Sequence, residues 1–377
     1  MALFTVIACI ATAAAAIYVE MGLLFALPVV GAALVALVAW SRTSFRHPGT
    51  SDRVVVLYIA GIVALMVEHM DQWRSRAPEL VMQLASGWAA PGFVFNERIL
   101  IAVFAIASPA LFLLGGFYLV RRQPLGDYIA WLLFAWSLVA GLLSRPDALG
   151  VATRARDVRS AVAPRGTRSA EADPVFPCAL RDGDAVTPRQ RRLWILLIVA
   201  FVVTYGTTLY IQAGPAPVGV IVGSMMGGMV GWLKTTSKRP ANPRVILPPY
   251  LLMLSLFMVH VDEEYLFDFR GRIAAIFHSH WSEHDFVLLI VLVGPMAWIL
   301  GGIGLWLRHP LGNFIVWFML VGMILGEPTH LLVFPLLEGG RYHYFPGMWT
   351  ALFPMIPAVY GVWRILADHR ATEPKRA

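Results

Sequence analysis

Long apolar stretches separated by short polar connections fill most of this chain. Eleven of them approach the about 20 residues that a bilayer-crossing helix needs: 3–18, 22–40, 54–67, 99–120, 128–143, 193–210, 218–233, 245–259, 286–307, 314–332 and 348–365. The shorter ones need their flanks to complete a crossing. The pattern predicts an all-α protein, a polytopic transmembrane helical bundle of about 11 spans. Its expected location is integral to a membrane and multi-pass, as in a bacterial inner membrane. Stretch 3–18 has the length of a signal segment, but no basic residues precede it and no clear cleavage site follows. It is read as a retained helix.

The polar pattern between the spans repeats. Pro109-Ala-Leu-Phe-Leu-Leu-Gly115-Gly116 returns as Pro295-Met-Ala-Trp-Ile-Leu-Gly301-Gly302. Arg122-Gln-Pro124-Leu125-Gly126 returns as Arg308-His-Pro310-Leu311-Gly312, at the same offset of 186 (109 to 295, 124 to 310). Upstream, Arg53 and His69-Met-Asp71 match Arg244 and His260-Val-Asp262, and Trp40 matches Trp232. Apolar residues match by chance between membrane helices, but a charged Arg-x-Pro-Leu-Gly turn in a fixed place between two spans does not. The expected organisation is a first five-helix repeat over 1–143, a linker over 144–192, a second five-helix repeat over 193–332, and a C-terminal helix with a basic tail over 333–377.

An odd number of spans per copy predicts that the second copy is inverted relative to the first. The linker carries ten arginines among Ala, Pro, Gly and Asp, and is expected to be disordered and cytoplasmic. The short loops pull the other way. Arg42, Arg46, Arg53, Arg121 and Arg122 in the first copy would orient both copies alike.

Composition narrows the chemistry. The chain is 58% hydrophobic and only 14% charged, against about 25% charged in soluble domains. The net charge of +7 comes mostly from loop arginines, which speak of membrane topology and not of nucleic acid. Cys9 and Cys178 are the only cysteines, too few for a disulfide framework or a thiolate metal site. Any metal would take nitrogen and oxygen ligands.

Such ligands sit in the second copy. His260, Glu263 and Glu264 stand at i, i+3 and i+4 at the end of stretch 245–259, on one helical face. Glu327 and His330 have the Glu-x-x-His spacing used by metal-binding helical bundles. The first copy has Gln72 and Trp73 in place of the two glutamates, and neither acid nor imidazole in place of Glu327 and His330. Ionisable groups near hydrocarbon are costly unless paired, protonated or metal-bound. The five residues form a candidate site for a divalent metal ion (iron, zinc or manganese), with Glu263 and Glu264 also as candidate catalytic acid/base groups. A solvated helix end, and an ion pair tying helices together, are the bland readings. His278, His280, Glu283, His284 and His343 are read as a wet loop that could add ligands.

The stretch His260-Val-Asp-Glu263-Glu264-Tyr265 resembles the signature of the HXXEE-domain family of membrane proteins. So does the later order of His330, Tyr344-Phe-Pro346-Gly347-Met-Trp-Thr350 and Pro357. The likeness covers roughly residues 245–365. Glu327 stands where that family's pattern has an asparagine a turn before the later histidine. The resemblance implies that these residues form one site, and implies no particular reaction.

Three functions stay open at this point. The first is a membrane-embedded metal-dependent enzyme, an oxidoreductase or hydrolase, acting on a lipophilic substrate. The second is an inverted-repeat transporter with a Glu/His relay. The third is a metal-free acid/base isomerase. The expected partners are membrane lipids and a lipophilic substrate.

Overall fold

The computed structural model describes residues 23–45, 52–74, 101–143 and 186–372, with a few isolated positions beside them. Every regular element among the described residues is helical. In chain order these are α1 (Leu23–Arg42), α2 (Asp52–Arg74), α3 (Ile101–Val120), α4 (Pro124–Leu143), α5 (Pro188–Ala213), α6 (Pro215–Lys234), α7 (Pro243–Leu266), α8 (Phe269–Phe277), α9 (Glu283–Trp306), α10 (Pro310–Leu332), α11 (Phe334–Leu337) and α12 (Leu352–Thr372). Ten of the eleven candidate stretches, from 22–40 onward, coincide with one of these helices. Stretch 3–18, both cysteines and most of the arginine-rich linker lie outside the described residues.

Six helices are long and apolar enough to cross a membrane: α2, α3, α5, α7, α9, and α10 continued through α11. At the centre lies α7, with 72% of its most apolar window buried, whereas α5 has 11% and forms the rim. Around α7 pack α3, α9 and α12. Proline at the first turn and a side-chain cap start the helices sharply. Asn242 accepts the Arg244 N–H ahead of Pro243, and Thr187 forms a reciprocal capping box with Gln190 ahead of Pro188.

The two matched halves share unusual local structure. Both α3 and α9 carry a seven-residue π-helical segment, Ile101–Ala107 and Val287–Val293. Each π segment runs into a proline, Pro109 or Pro295, whose missing N–H breaks the regular ladder. Tyr58 of α2 donates to the Phe112 carbonyl, and Tyr250 of α7 to the Trp298 carbonyl. Trp40 meets Tyr128 edge-on, and Trp232 meets Phe314 edge-on. Arg122 and Arg308 both take φ 56°, the left-handed turn that reverses the chain before Pro124 and Pro310. Behind those turns, a Cβ on Gly126 would lie 2.2 Å from Leu119 N and one on Gly312 2.2 Å from Gly304 C, so the hairpins close only over glycine. Gly228, from the glycine stretch 223–228, similarly meets the Phe318 backbone, which is close helix packing.

The expected inversion is not what the structure contains. Arg244, at the start of α7, reaches Asp52, at the start of α2, at 3.2 Å. At the other end of the bundle, Arg98 precedes α3 and lies 3.8 Å from Glu283 at the start of α9. There too Trp73, at the end of α2, stacks on His284. Matched helices therefore run in the same direction, as the short basic loops alone would have placed them. Span counting required Leu143 and Pro188 to lie at the same end of the bundle. Val186 N donates to Lys238 O, and the Trp194 ring meets His309. Both contacts hold Pro188 at the end of the bundle opposite Leu143. We call the end bearing Asp52 and Arg244 the basal end, and the other the site end.

Candidate functional site

Two helices and a loop build the site. The last turns of α7 present His260, Glu263 and Glu264, and α10 presents Glu327 and His330; all five are buried. Pro328 lies within α10, yet the helix continues and keeps Glu327 and His330 on one face. The loop between α11 and α12 folds back over both imidazoles.

His260 Nε2 lies 2.9 Å from Glu327 Oε2 and 3.5 Å from Glu264 Oε1. His330 Nε2 lies 3.4 Å from the same Glu264 oxygen. The two rings stand edge to face at 4.8 Å. His260, Glu264 and His330 each offer one ligand atom within 4.8 Å of the others. Glu327 joins through His260.

The outward nitrogens fix what the inward ones can do. His330 Nδ1 is 2.9 Å from the Pro346 carbonyl, which can only accept, so Nδ1 carries the proton. Thr350 Oγ1 gives its hydrogen to Glu263 Oε2 at 2.6 Å and accepts from His260 Nδ1 at 3.1 Å. In the neutral tautomers these partners require, both Nε2 atoms present lone pairs to carboxylate oxygens. Acceptors facing acceptors at such distances repel, and a cation between them removes the repulsion. Glu327 Oε2 is buried, with His260 Nε2 its neighbour at 2.9 Å. The separations of 2.9 to 3.5 Å also fit ligands at about 2.0–2.1 Å around one four-coordinate ion, which lie roughly 3.3 Å apart. The donor set, two imidazoles and carboxylates with each Nδ1 held by an outer partner, fits a divalent transition ion.

Glu263 does not join this cluster. Its carboxylate accepts from Tyr344 Oη at 2.8 Å, Trp349 N at 3.2 Å, and Thr350 N and Oγ1 at 2.9 and 2.6 Å. Four donors use its lone pairs, so it anchors the loop and stands apart from the group that His260, Glu264 and His330 form. Burial, then its bond to Glu263, hold the Tyr344 phenol well above the ordinary tyrosine range, so it stays a donor.

The other loop candidates stay apart. His278 and His280 are exposed. Glu283 accepts from Tyr265 Oη, and His284 faces Asp285. His343 pairs with Glu338 at 2.7 Å, and Arg272 reaches Glu338 and the Tyr344 carbonyl at 3.1 Å each. Together these contacts tether the loop to α8. The Arg341 carbonyl, then Glu338, hold exposed His343 above its ordinary value of 6.5. A raised folded value contributes stability below the unfolded value, and the contribution is lost as pH rises through the folded one. Hydrogen-exchange protection at Tyr344 and Phe345, after division by the base-catalysed intrinsic rate, is therefore expected to be greatest on the acid side and to fall as the pH rises above 6.5.

Aromatic residues that pattern reading passed over close the pocket. Phe269 stacks on His330 at 5.0 Å, and Phe334 meets it edge-on at 5.3 Å. Both look like ordinary core residues in sequence. Gly347, at φ 85°, touches both imidazoles, and a Cβ there would lie 2.6 Å from His260 Cε1 and from His330 Nδ1. In the first half, buried His69 Nδ1 has no hydrogen-bond partner, and Gln72 and Trp73 stand where the second half has Glu263 and Glu264.

No family model, no curated protein and no solved structure matches this chain.

Proposed function

We propose that this chain is a multi-pass membrane protein that holds a divalent metal ion through His260, Glu264, His330 and Glu327, and acts as a metal-dependent enzyme on a lipophilic substrate. The observation that carries the reading is the pair of imidazole Nε2 lone pairs aimed at buried carboxylates with both Nδ1 atoms already committed. A bound ion would supply Lewis acidity. The resemblance to the HXXEE-domain family groups the same residues. The absence of both glutamates from the first half fits a scaffold copy beside an active one. Elemental analysis of the detergent-purified chain tests the reading. Close to one equivalent of iron, zinc or manganese is expected in the wild type and little in His260→Ala. A metal-free wild type with an unaltered fold sinks it.

A proton is the other cation that satisfies the geometry. The His260–Glu327 distance of 2.9 Å is that of a charged hydrogen bond, and it favours the metal-free acid/base isomerase as the second reading. Inverted-repeat transport loses its premise, because the matched helices run in parallel.

The paired contacts in the two halves support a tandem duplication, and the eleven stretches an eleven-span arrangement. Arg42, Arg53, Arg121, Arg122, Lys234, Arg244, Arg308 and Arg364 all belong to the basal end, which is then the cytoplasmic face. Against simple alternation stands the placing of Leu143 and Pro188 at opposite ends, with a polar stretch between. Single cysteines at Thr43 and Lys238, in a Cys9→Ser/Cys178→Ser background, are expected to label from one side of intact cells' membranes. A cysteine at His284 is expected to label from the other. Labelling of Thr43→Cys and Lys238→Cys from opposite sides would restore the inverted arrangement and break the bundle described above.

A further inference from the structure

From the basal end a cleft of about 820 Å³ runs between α3, α7 and α12, with its arginines at the end away from the His/Glu cluster and its Leu256 one helical turn short of His260. Its chemistry is graded along its length. Arg121, Arg244 and Arg364 line it at the basal end, and Leu256 and Phe353 line the deep end. From Arg244 to Leu256 is twelve residues of helix, about 18 Å. Pro248 and Pro249 form part of the wall on α7. The matched stretch of α2, Val56-Leu57-Tyr58, contains no proline, so this wall belongs to the second half alone. On α12, Phe353, Ile356 and Tyr360 face the cleft and remain exposed.

The three guanidiniums are held in place. Arg121 lies over the Phe117 ring at 5.4 Å, and Arg364 over the Trp363 ring at 5.6 Å. Arg244 shares its charge with Asp52 at 3.2 Å. The carboxylate offsets one cation, leaving two positive charges at the mouth of an apolar trough. A soluble anion would not need the trough, and a hydrocarbon would not need the arginines. A phosphodiester headgroup on acyl chains uses both ends, at the depths where a bilayer would present them.

We propose that this cleft is a binding site for an anionic phospholipid, with Arg121, Arg244 and Arg364 on the phosphate and the acyl chains against Pro248, Leu256 and Phe353. The inference takes from the functional reading only the bilayer placement and is independent of any metal or reaction.

The test uses the full chain purified in mild detergent, with bound lipid identified by native mass spectrometry. The wild type is expected to retain an anionic phospholipid enriched above its share of the source membrane. Arg121→Gln/Arg364→Gln leaves the Arg244–Asp52 pair intact and is expected to weaken that binding at least about tenfold. Leu256→Trp fills the deep end without altering charge and is expected to reduce retention as well, so the proposal stays testable if the arginine variant is poorly folded. In phosphatidylcholine nanodiscs, added phosphatidylglycerol is expected to raise the wild type's Tm and inorganic phosphate is not. Lipid retained in membrane proportions, retention indifferent to both variants, or equal stabilisation by inorganic phosphate would each overturn it.

Discussion

Glu264→Gln is expected to empty the site and spare the fold, and Glu263→Gln to do the reverse. The two glutamates are neighbours on one helix, yet Glu264 Oε1 lies between the two imidazoles while Glu263 is taken up by loop donors. Replacing Glu264 removes a charged ligand, and metal content is expected to fall below about one tenth of the wild type's, with little change in Tm. Hydrogen bonds to a charged group contribute about 1.5–3 kcal/mol each. A glutamine at 263 keeps one acceptor oxygen and turns an N–H toward donors. A loss of roughly 2–4 kcal/mol follows, read as an apparent Tm lower by roughly 5–10 °C at a fixed scan rate. Similar metal loss in both variants with equal Tm would show that the division of labour is wrong. As a control, Glu263→Asp is expected to recover part of the stability.

Gly347→Ala is expected to disable the site through sterics alone. At φ 85° an L-residue costs about 1–2 kcal/mol. The added methyl would also sit 2.6 Å from one atom of each imidazole, where no real Cβ sits. The far side of each ring is already occupied. His330 is backed by Phe269 and Phe334, and His260 is fixed by Thr350. Neither ring can retreat without giving up its Nδ1 partner. The variant is expected to lose metal about as fully as Glu264→Gln and to lose stability as well. Gly339→Ala is the matched comparison. Its φ is 84°, but nothing lies within 4 Å of an added Cβ, so it reports the backbone strain by itself. Equal behaviour of the two alanine variants would remove the steric account.

Periodicity by itself determined the helical class and the positions of ten helices. A run of apolar residues near the length of a bilayer has few other solutions. Spacing also determined that His260 and Glu264 share one face and Glu327 and His330 another, because the helical repeat is a local property. The matched Pro, Gly and Arg-x-Pro-Leu-Gly positions were legible for the same reason, since they mark π turns and tight hairpins. Only the tertiary structure decided that the two motifs meet, that Thr350 and the Pro346 carbonyl set the tautomers, and that Gly347 seals the rings. Those partners lie 16 to 90 residues away in sequence, and no local pattern encodes them. It likewise separated Glu263 from Glu264. On a helix the two differ by only one position, and which of them meets a cation or a loop depends on what packs there. Orientation was the largest correction. Span parity is a rule about counting, whereas Arg244 on Asp52 is a contact between two ends, and contacts between distant segments are what folding adds to sequence.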